Sequence, residues 1–407
     1  MQRKLTGILA SVLVLTAAIV ALAQQLPPQT FRSGVDLILI EATVLDKDGK
    51  PIAGLQARDF SIKIGGKTRT VGAAEYIPAG RAVTAPAAST SGTPGTTLPA
   101  STAAPFEAAR TELGGSNRTI MIAVDVDNIR PGAGRNALVD VADYVATLPG
   151  TDRIGVVTLP GGGQNVEPTA DRAAVRAALS KLAGADHRMD SCDATIGEAA
   201  AEAMDDTRGW DAFNSRVFPP RCPRTRFPGD PTHRDLKVFV PMYRTQTRQA
   251  LAALTSLASN LGAVSGRRSI VLVSEGLYFD NDLVQELPAF GAALERSRVV
   301  LYAIHLDFPF SEAGSRFASS ATRLLDDRYG FDGMANTATF GGGAAIRAIS
   351  RATPAIKRID QELSGTYLLG IERQPSDTAG KPLELKVEVS RKGADVRTRR
   401  NITVTGK

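Results

Sequence analysis

The sequence predicts a doubly wound, mostly parallel α/β domain carried between two β-rich flanks, and three observations predict it. Between about 118 and 364, short uninterrupted apolar runs alternate with stretches whose apolar residues recur at helical spacing. Over 30–78 and again over 365–407 the chain reads instead as short strands with Gly-marked turns. Each flank is too small to bury a core alone, so the two are expected to pair into one β-sandwich with the α/β domain inserted.

The chain opens with a targeting pattern. Arg3 and Lys4 precede an apolar run from Leu5 to Leu22, and Ala21-Leu-Ala23 supplies small residues for cleavage before Gln24. Residues 1–23 therefore read as a signal peptide rather than a membrane anchor. The mature protein is expected to be secreted or periplasmic, with no stable membrane span. Export gives Cys192 and Cys222 a context. In an oxidising compartment a bridge closing a loop of about 30 residues contributes roughly 3 to 4 kcal/mol, and two free thiols are the alternative.

In the first flank, Val35 to Leu45 mixes alternation with β-branched residues and meets Asp46-Lys-Asp-Gly49, a strand and its turn. Asp59-Phe-Ser-Ile-Lys-Ile before Gly65-Gly66 repeats the pattern. Residues 79–117, rich in Ala, Thr, Ser, Pro and Gly without a hydrophobic period, read as a linker.

Thr119-Ile-Met-Ile-Ala-Val-Asp125 is the first buried strand, and Asn136 to Leu148 the helix after it, stopped by Pro149-Gly150. Arg153 to Leu159 is a second strand, and Asn165 to Thr169 a short one that Pro168 confines to an edge. Asp171 caps a helix to about Leu182. From 184 to 231 the chain is polar and Pro/Arg-rich apart from a helical piece, Thr195 to Met204, and reads as an insertion. A helix from about Arg234 to Leu261 leads into Ser269-Ile-Val-Leu-Val-Ser274-Glu275-Gly276. A further helix, Asp282 to Ser297, precedes Val299 to His305. In the tail, Gly365 to Ile371, Leu383 to Val389 and Val396 to Val404 read as antiparallel strands with one wet face.

Composition narrows the function. The 407 residues are 43% hydrophobic with a net charge of +6, but acidic and basic residues are interspersed and aromatics are few, so nucleic acid is not expected as a partner. The three histidines, His187, His233 and His305, are scattered, and no Gly-x-Ser-x-Gly elbow or His-Glu-x-x-His helix occurs. Gly161-Gly-Gly and Gly341-Gly-Gly lack the Lys-Ser/Thr of a phosphate loop and read as turns.

In open α/β sheets, ligands bind off the carboxyl ends of the strands, where Asp125, Asp127 and Glu275 are expected. The stretches around them resemble the von Willebrand factor type A (VWA) fold, and more narrowly the VWA-related secreted proteins of acidobacteria. Val44-Leu-Asp-Lys-Asp-Gly-Lys-Pro and Gly54-Leu-Gln-Ala-Arg-Asp-Phe stand before the core, and Ile270-Val-Leu-Val-Ser-Glu-Gly-Leu within it. Arg358-Ile-Asp-Gln-Glu-Leu-Ser-Gly-Thr-Tyr-Leu-Leu-Gly-Ile and Val396-Arg-Thr-Arg-Arg follow it.

The resemblance implies a non-enzymatic binding or adhesion module for a protein or other extracellular macromolecule. It also implies a divalent-cation site in which a first-strand Asp-x-Ser-x-Ser motif, a loop Thr and a distal Asp meet. Here Asp125 matches the first Asp, while Asp127 and Ile129 replace the hydroxyls. Asp127 or Asn128 would supply oxygen instead, Thr195 is the positional candidate for the Thr, and Glu275 stands for the distal Asp. Such an anionic, all-oxygen set would favour Mg²⁺ or Ca²⁺ unless Arg130 neutralises it, in which case a scaffold binding partners without metal results.

An enzymatic alternative has the same strand. Asp125-Val-Asp127 also fits the first motif of haloacid-dehalogenase-like Mg²⁺-dependent phosphatases, with Asp125 as nucleophile and Asp127 as general acid. Ser274 and Asp326-Asp327 would fill two further roles of that chemistry. The Lys it needs does not occur between them.

Overall fold

The computed structural model describes residues 37–79, 100–115, 117–186, 193–217, 236–307, 320–375, 377 and 380–404. The signal peptide, Cys192, Cys222, His187 and His233 lie outside the described residues, so the expected cleavage and the expected bridge belong to segments not described. Among the described residues, no helix is long and apolar enough to cross a membrane.

The protein is a mixed α/β chain with one six-stranded, mostly parallel sheet and two four-stranded antiparallel sheets. The N-terminal flank gives β1 (Leu37–Leu45), β2 (Phe60–Ile64), β3 (Lys67–Arg69) and β4 (Val71–Pro78). The strict alternation of β1 and β2 puts every second residue inward. Ile38, Ile40, Ala42 and Val44 meet Phe60, Ile62 and Ile64 in one core.

The expected linker carries a helix, α1 (Ala100–Leu113), in its second half. Phe106, Ala109 and Leu113 recur on one face and are buried against Ile77 and Leu368. Arg110 pairs with Glu75 at 2.6 Å from the same helix.

The inserted sheet follows: β5 (Arg118–Asp125), α2 (Ala133–Val145), β6 (Arg153–Leu159), β7 (Asn165–Thr169) and α3 (Arg172–Lys181). The edge expected from Pro168 is present, since β7 pairs only with β6, antiparallel. Asp171 caps α3 by accepting from the Ala173 and Ala174 amides. The 184–231 stretch contains α4 (Ile196–Ala203), as expected, and a second helix not expected, α5 (Arg208–Val217). Ala212 and Phe213 of α5 are buried, although the helix is mostly polar.

Then α6 (Phe239–Leu261) leads to β8 (Arg267–Ser274). The single helix expected over 282–297 is two, α7 (Asn281–Val284) and α8 (Leu287–Arg296), because Pro288 fits only the first turn of a helix. β9 (Val299–Asp307), α9 (Ser320–Leu325), α10 (Phe331–Phe340), β10 (Gly342–Ile349) and α11 (Thr353–Glu362) complete the insertion. Gly342 and Gly343, expected in a turn, begin the edge strand β10. A Cβ on Gly343 would stand 2.2 Å from the Leu301 carbonyl oxygen, so only glycine lets the strands close there.

Strand order in this sheet is β10-β9-β8-β5-β6-β7. Alternate residues of β5 and β8 enter different cores. Met121, Ala123, Ile270 and Leu272 face one helical layer, while Ile120, Ile122, Val124, Val271 and Val273 face the other. That is why these strands read as continuous apolar runs. The winding reverses between β5 and β8, so the crevice of this sheet lies where Asp125 and Ser274 end their strands.

The C-terminal flank gives β11 (Gly365–Glu372), β12 (Pro382–Val389), β13 (Asp395–Arg397) and β14 (Asn401–Thr403). They mix with the first flank, giving sheets β13-β1-β11-β4 and β14-β12-β2-β3 that share the core already named. Two expectations are corrected. β11 is buried on both faces, because α1 covers the side that was expected to be wet. The last expected strand is two strands in different sheets, with Thr398 to Arg400 crossing between them.

Candidate functional site

Where β5 ends, a single tight turn, Val126–Asn128, folds Asn128 back so that its side-chain amide donates to Asp125 Oδ2 at 2.7 Å. The Ser274 hydroxyl from the end of β8 lies 2.9 Å from the same oxygen. Asp125 is only 3% exposed, so this carboxylate is a buried joint between the two central strands. The Glu275 amide donates to the Asn128 carbonyl at 2.9 Å and closes the joint from the other side.

That closure sets Glu275 on Arg130. The Arg130 amide donates to Oε1 at 2.7 Å, and its Nε donates to Oε2. Both oxygens of the carboxylate are therefore engaged by one residue. Burial nevertheless pushes Glu275 up to about 7, against the pull of Arg130, and the Asp186 charge adds to the rise.

A cavity of about 60 Å³ opens above this corner. Asn128, Arg130 and Glu275 form one wall, and Thr195, at the start of α4, forms another. Thr195 accepts from the Glu198 amide at 3.3 Å while its own amide donates to Glu198 Oε2 at 3.0 Å, a reciprocal cap. Glu198 is fully buried and also accepts from the Thr322 hydroxyl at 2.7 Å.

The far wall comes from β9 and from the wide turn Asp326–Gly330 that joins α9 to α10. Asp326 Oδ1 accepts from the Gly197 amide at 2.7 Å. Residue 197 is glycine because a Cβ there would stand 2.3 Å from the Asp326 backbone nitrogen. Burial and the neighbouring Glu198 charge raise Asp326 to about 6. Asp307 and Asp327 share Arg347, whose Nη1 lies 3.3 Å from Asp307 and also bonds Asp327. His305, 2% exposed, stands 3.7 Å from Asp327 through Nε2, and burial holds its imidazole down at about 4, hence neutral.

The structure thus gathers three of the five expected ligands, Asn128, Thr195 and Glu275, in one cavity wall. Asp125 sits beneath it, behind Asn128. Asp127, expected on the rim beside Asp125, is exposed and does not line the cavity, because the turn after β5 rotates it outward. Ile129 is fully buried in the apolar core. Asp125, Glu275 and Thr195 each already satisfy protein donors, and no group of three or more acidic, His or Cys side chains among the described residues is arranged to hold a metal. Of the phosphatase parts, Ser274 does meet Asp125, and Asp326 and Asp327 reach the cavity, but Asp127 is turned away from them.

Residues the sequence did not single out for the site are Asp186, His305, Asp307 and Arg323. Asp307 and His305 carried a weak signal, since β9 ends at the same edge of the sheet as β5 and β8. Asp186 and Arg323 carried none.

No protein-family model matches the chain, and no curated protein matches it. Among solved structures, the chain is similar to an aerotolerance-related membrane protein from Bacteroides fragilis, with 14% identity and a TM-score of 0.31 over 60% of this chain and 98% of that one.

Proposed function

We propose that the chain is an exported, VWA-like binding module that engages a protein or other extracellular macromolecule at the strand-end rim, without enzymatic activity and without a divalent cation. One observation carries the reading. The carboxylate that the resemblance assigns to the metal, Glu275, has both oxygens on Arg130, so a resident guanidinium stands where a cation would bind. The place of the site supports it as well, at the switch point of a doubly wound sheet.

Isothermal titration with Mg²⁺, Ca²⁺ and Mn²⁺ at millimolar concentration tests the absence of metal. The expected result is no saturable heat and no thermal shift, identical for wild type and Asp125→Ala/Asp127→Ala. Saturable binding lost in that variant restores the metal-dependent form. The enzymatic alternative is checked in the same preparation, where turnover of an aryl phosphate with Mg²⁺ that Asp125→Asn abolishes would replace the binding reading.

A further inference from the structure

The walls of the strand-end cavity differ in sign from what a carboxylate partner would need. Asp186, Glu275, Asp307, Asp326 and Asp327 all line it, against Arg130 and Arg323. Arg347 reaches two of the acids from β10, which still leaves five carboxyls to three guanidiniums. Glu198, fully buried behind Asp326, adds a further negative charge from α4. A ligand carboxylate would enter against this excess.

A second, independent feature points the same way. His305 lines the cavity, is 2% exposed, and its Nδ1 has no hydrogen-bond partner. The imidazole is neutral, and the Asp327 carboxylate 3.7 Å from Nε2, beyond hydrogen-bond distance, electrostatically favours the proton on that nitrogen, the tautomer in which Nδ1 is an acceptor. A buried acceptor left without a donor costs free energy that a ligand N–H would recover. In that tautomer the unfilled hydrogen-bonding capacity of this wall is an acceptor's, which together with the excess of carboxyls suits a ligand that brings donors and positive charge. The volume of about 60 Å³ admits the head of one side chain and is far below the roughly 300–1,000 Å³ of pockets that take whole small-molecule ligands.

We propose that this cavity receives a cationic side chain of the partner, a lysine ammonium or an arginine guanidinium, hydrogen-bonded to Asp326, Asp307 and His305 Nδ1. The proposal rests on the reading of the strand-end rim as the binding surface and gives that surface its partner chemistry. Asp326 supplies the carboxylate nearest α4, Asp307 and His305 those acceptors from β9, and Arg130 holds Glu275 out of the exchange.

The test uses the full mature chain and capped single amino acids as probes, followed by NMR. N-acetyl-lysine methylamide and N-acetyl-arginine methylamide are expected to give saturable shifts at Asn128, Thr195 and Asp326, and N-acetyl-glutamate methylamide none. The pair of cationic probes distinguishes ammonium from guanidinium. Asp326→Asn, which keeps the acceptor for the Gly197 amide, is expected to weaken cation binding by about tenfold. His305→Phe, which removes the Nδ1 acceptor together with the Nε2 that faces Asp327, is a second variant that weakens it should Asp326→Asn disturb folding, with far-UV circular dichroism checking both. Unchanged cation affinity in both folded variants, or no saturable cation response at all, overturns the proposal. If Mg²⁺ or the glutamate probe shifts the cavity resonances instead, the cationic ligand is refuted while the rim remains a binding surface. If no probe of any charge shifts them, both readings fall.

Discussion

Glu275 is delivered by the most predictable strand of the chain into one of its least predictable corners. Its position was legible, because the apolar run Ile270 to Val273 of β8 ends in Ser274 and leaves Glu275 just past the strand end. Its state was not, since that depends on Arg130, Asp186 and the surrounding burial. A carboxyl raised from 4.5 to about 7 by folding gives stability that is complete below pH 4.5 and lost as pH rises through 7. His305, lowered from 6.5 to about 4, works oppositely, its contribution being lost as pH falls from 6.5 to 4, so the two partly cancel in the whole protein. Glu275→Gln separates them. In urea denaturation at a series of pH values, the wild type is expected to lose on the order of 1–3 kcal/mol relative to this variant between pH 4.5 and 8. A wild type that gains on the variant over that range would contradict the buried, raised carboxyl. Asp127 shows the converse limit. Its neighbour Asp125 is tied to Asn128 and Ser274, and a turn of three residues sufficed to send Asp127 to solvent, which spacing in the sequence does not encode.

At the scale of elements, strands with one environment were legible and elements with two were not. β12 alternates as a half-wet strand must, whereas β11 looked similar and is buried throughout. The difference is α1, whose Phe106, Ala109 and Leu113 are diluted among Ala, Ser and Thr, so its amphipathic pattern is faint and its pairing with β11 is long-range. A glycine records that packing, since a Cβ on Gly370 would stand 3.3 Å from Phe106 Cδ2. Phe106→Ala is accordingly expected to destabilise the sandwich by about 3 kcal/mol in chemical denaturation. Hydrogen exchange should increase at β11 and β4 while β5 and β8 stay protected. Uniform loss of protection would mean that α1 supports the whole chain rather than this sheet. Arg267 shows how the pieces are joined. Half-buried at the start of β8, it donates to the carbonyls of Leu113, Leu363 and Ile77, gathering the ends of α1, α11 and β4 around one guanidinium. Burial without a carboxylate in contact lowers it to about 10.

The plan of the whole molecule was read from size: two flanks that cannot each bury a core must share one. The described strands have that arrangement, with β11 between β1 and β4 and β12 between β14 and β2. A chain ending at Ser364 would lose the central strand of one sheet and the neighbour of β2 in the other. Limited proteolysis of that truncated chain is expected to degrade residues 37–78 rapidly, and resistance of those residues would show that the first flank has a core of its own.

Pro78 faces Gly365, and the Ala79 amide donates to the Ser364 carbonyl at 2.8 Å, so the chain leaves the sandwich and returns to it at adjacent points. A pull on β1 and β14 would therefore load the strands of the sandwich, and reach the inserted domain through side links such as Arg399 to the Val299 carbonyl and the Thr403 amide to Glu295. Parting of β4 from β11 would release the two chain crossings at the root of the inserted domain together, so the sandwich acts as the clasp that holds that domain's ends side by side.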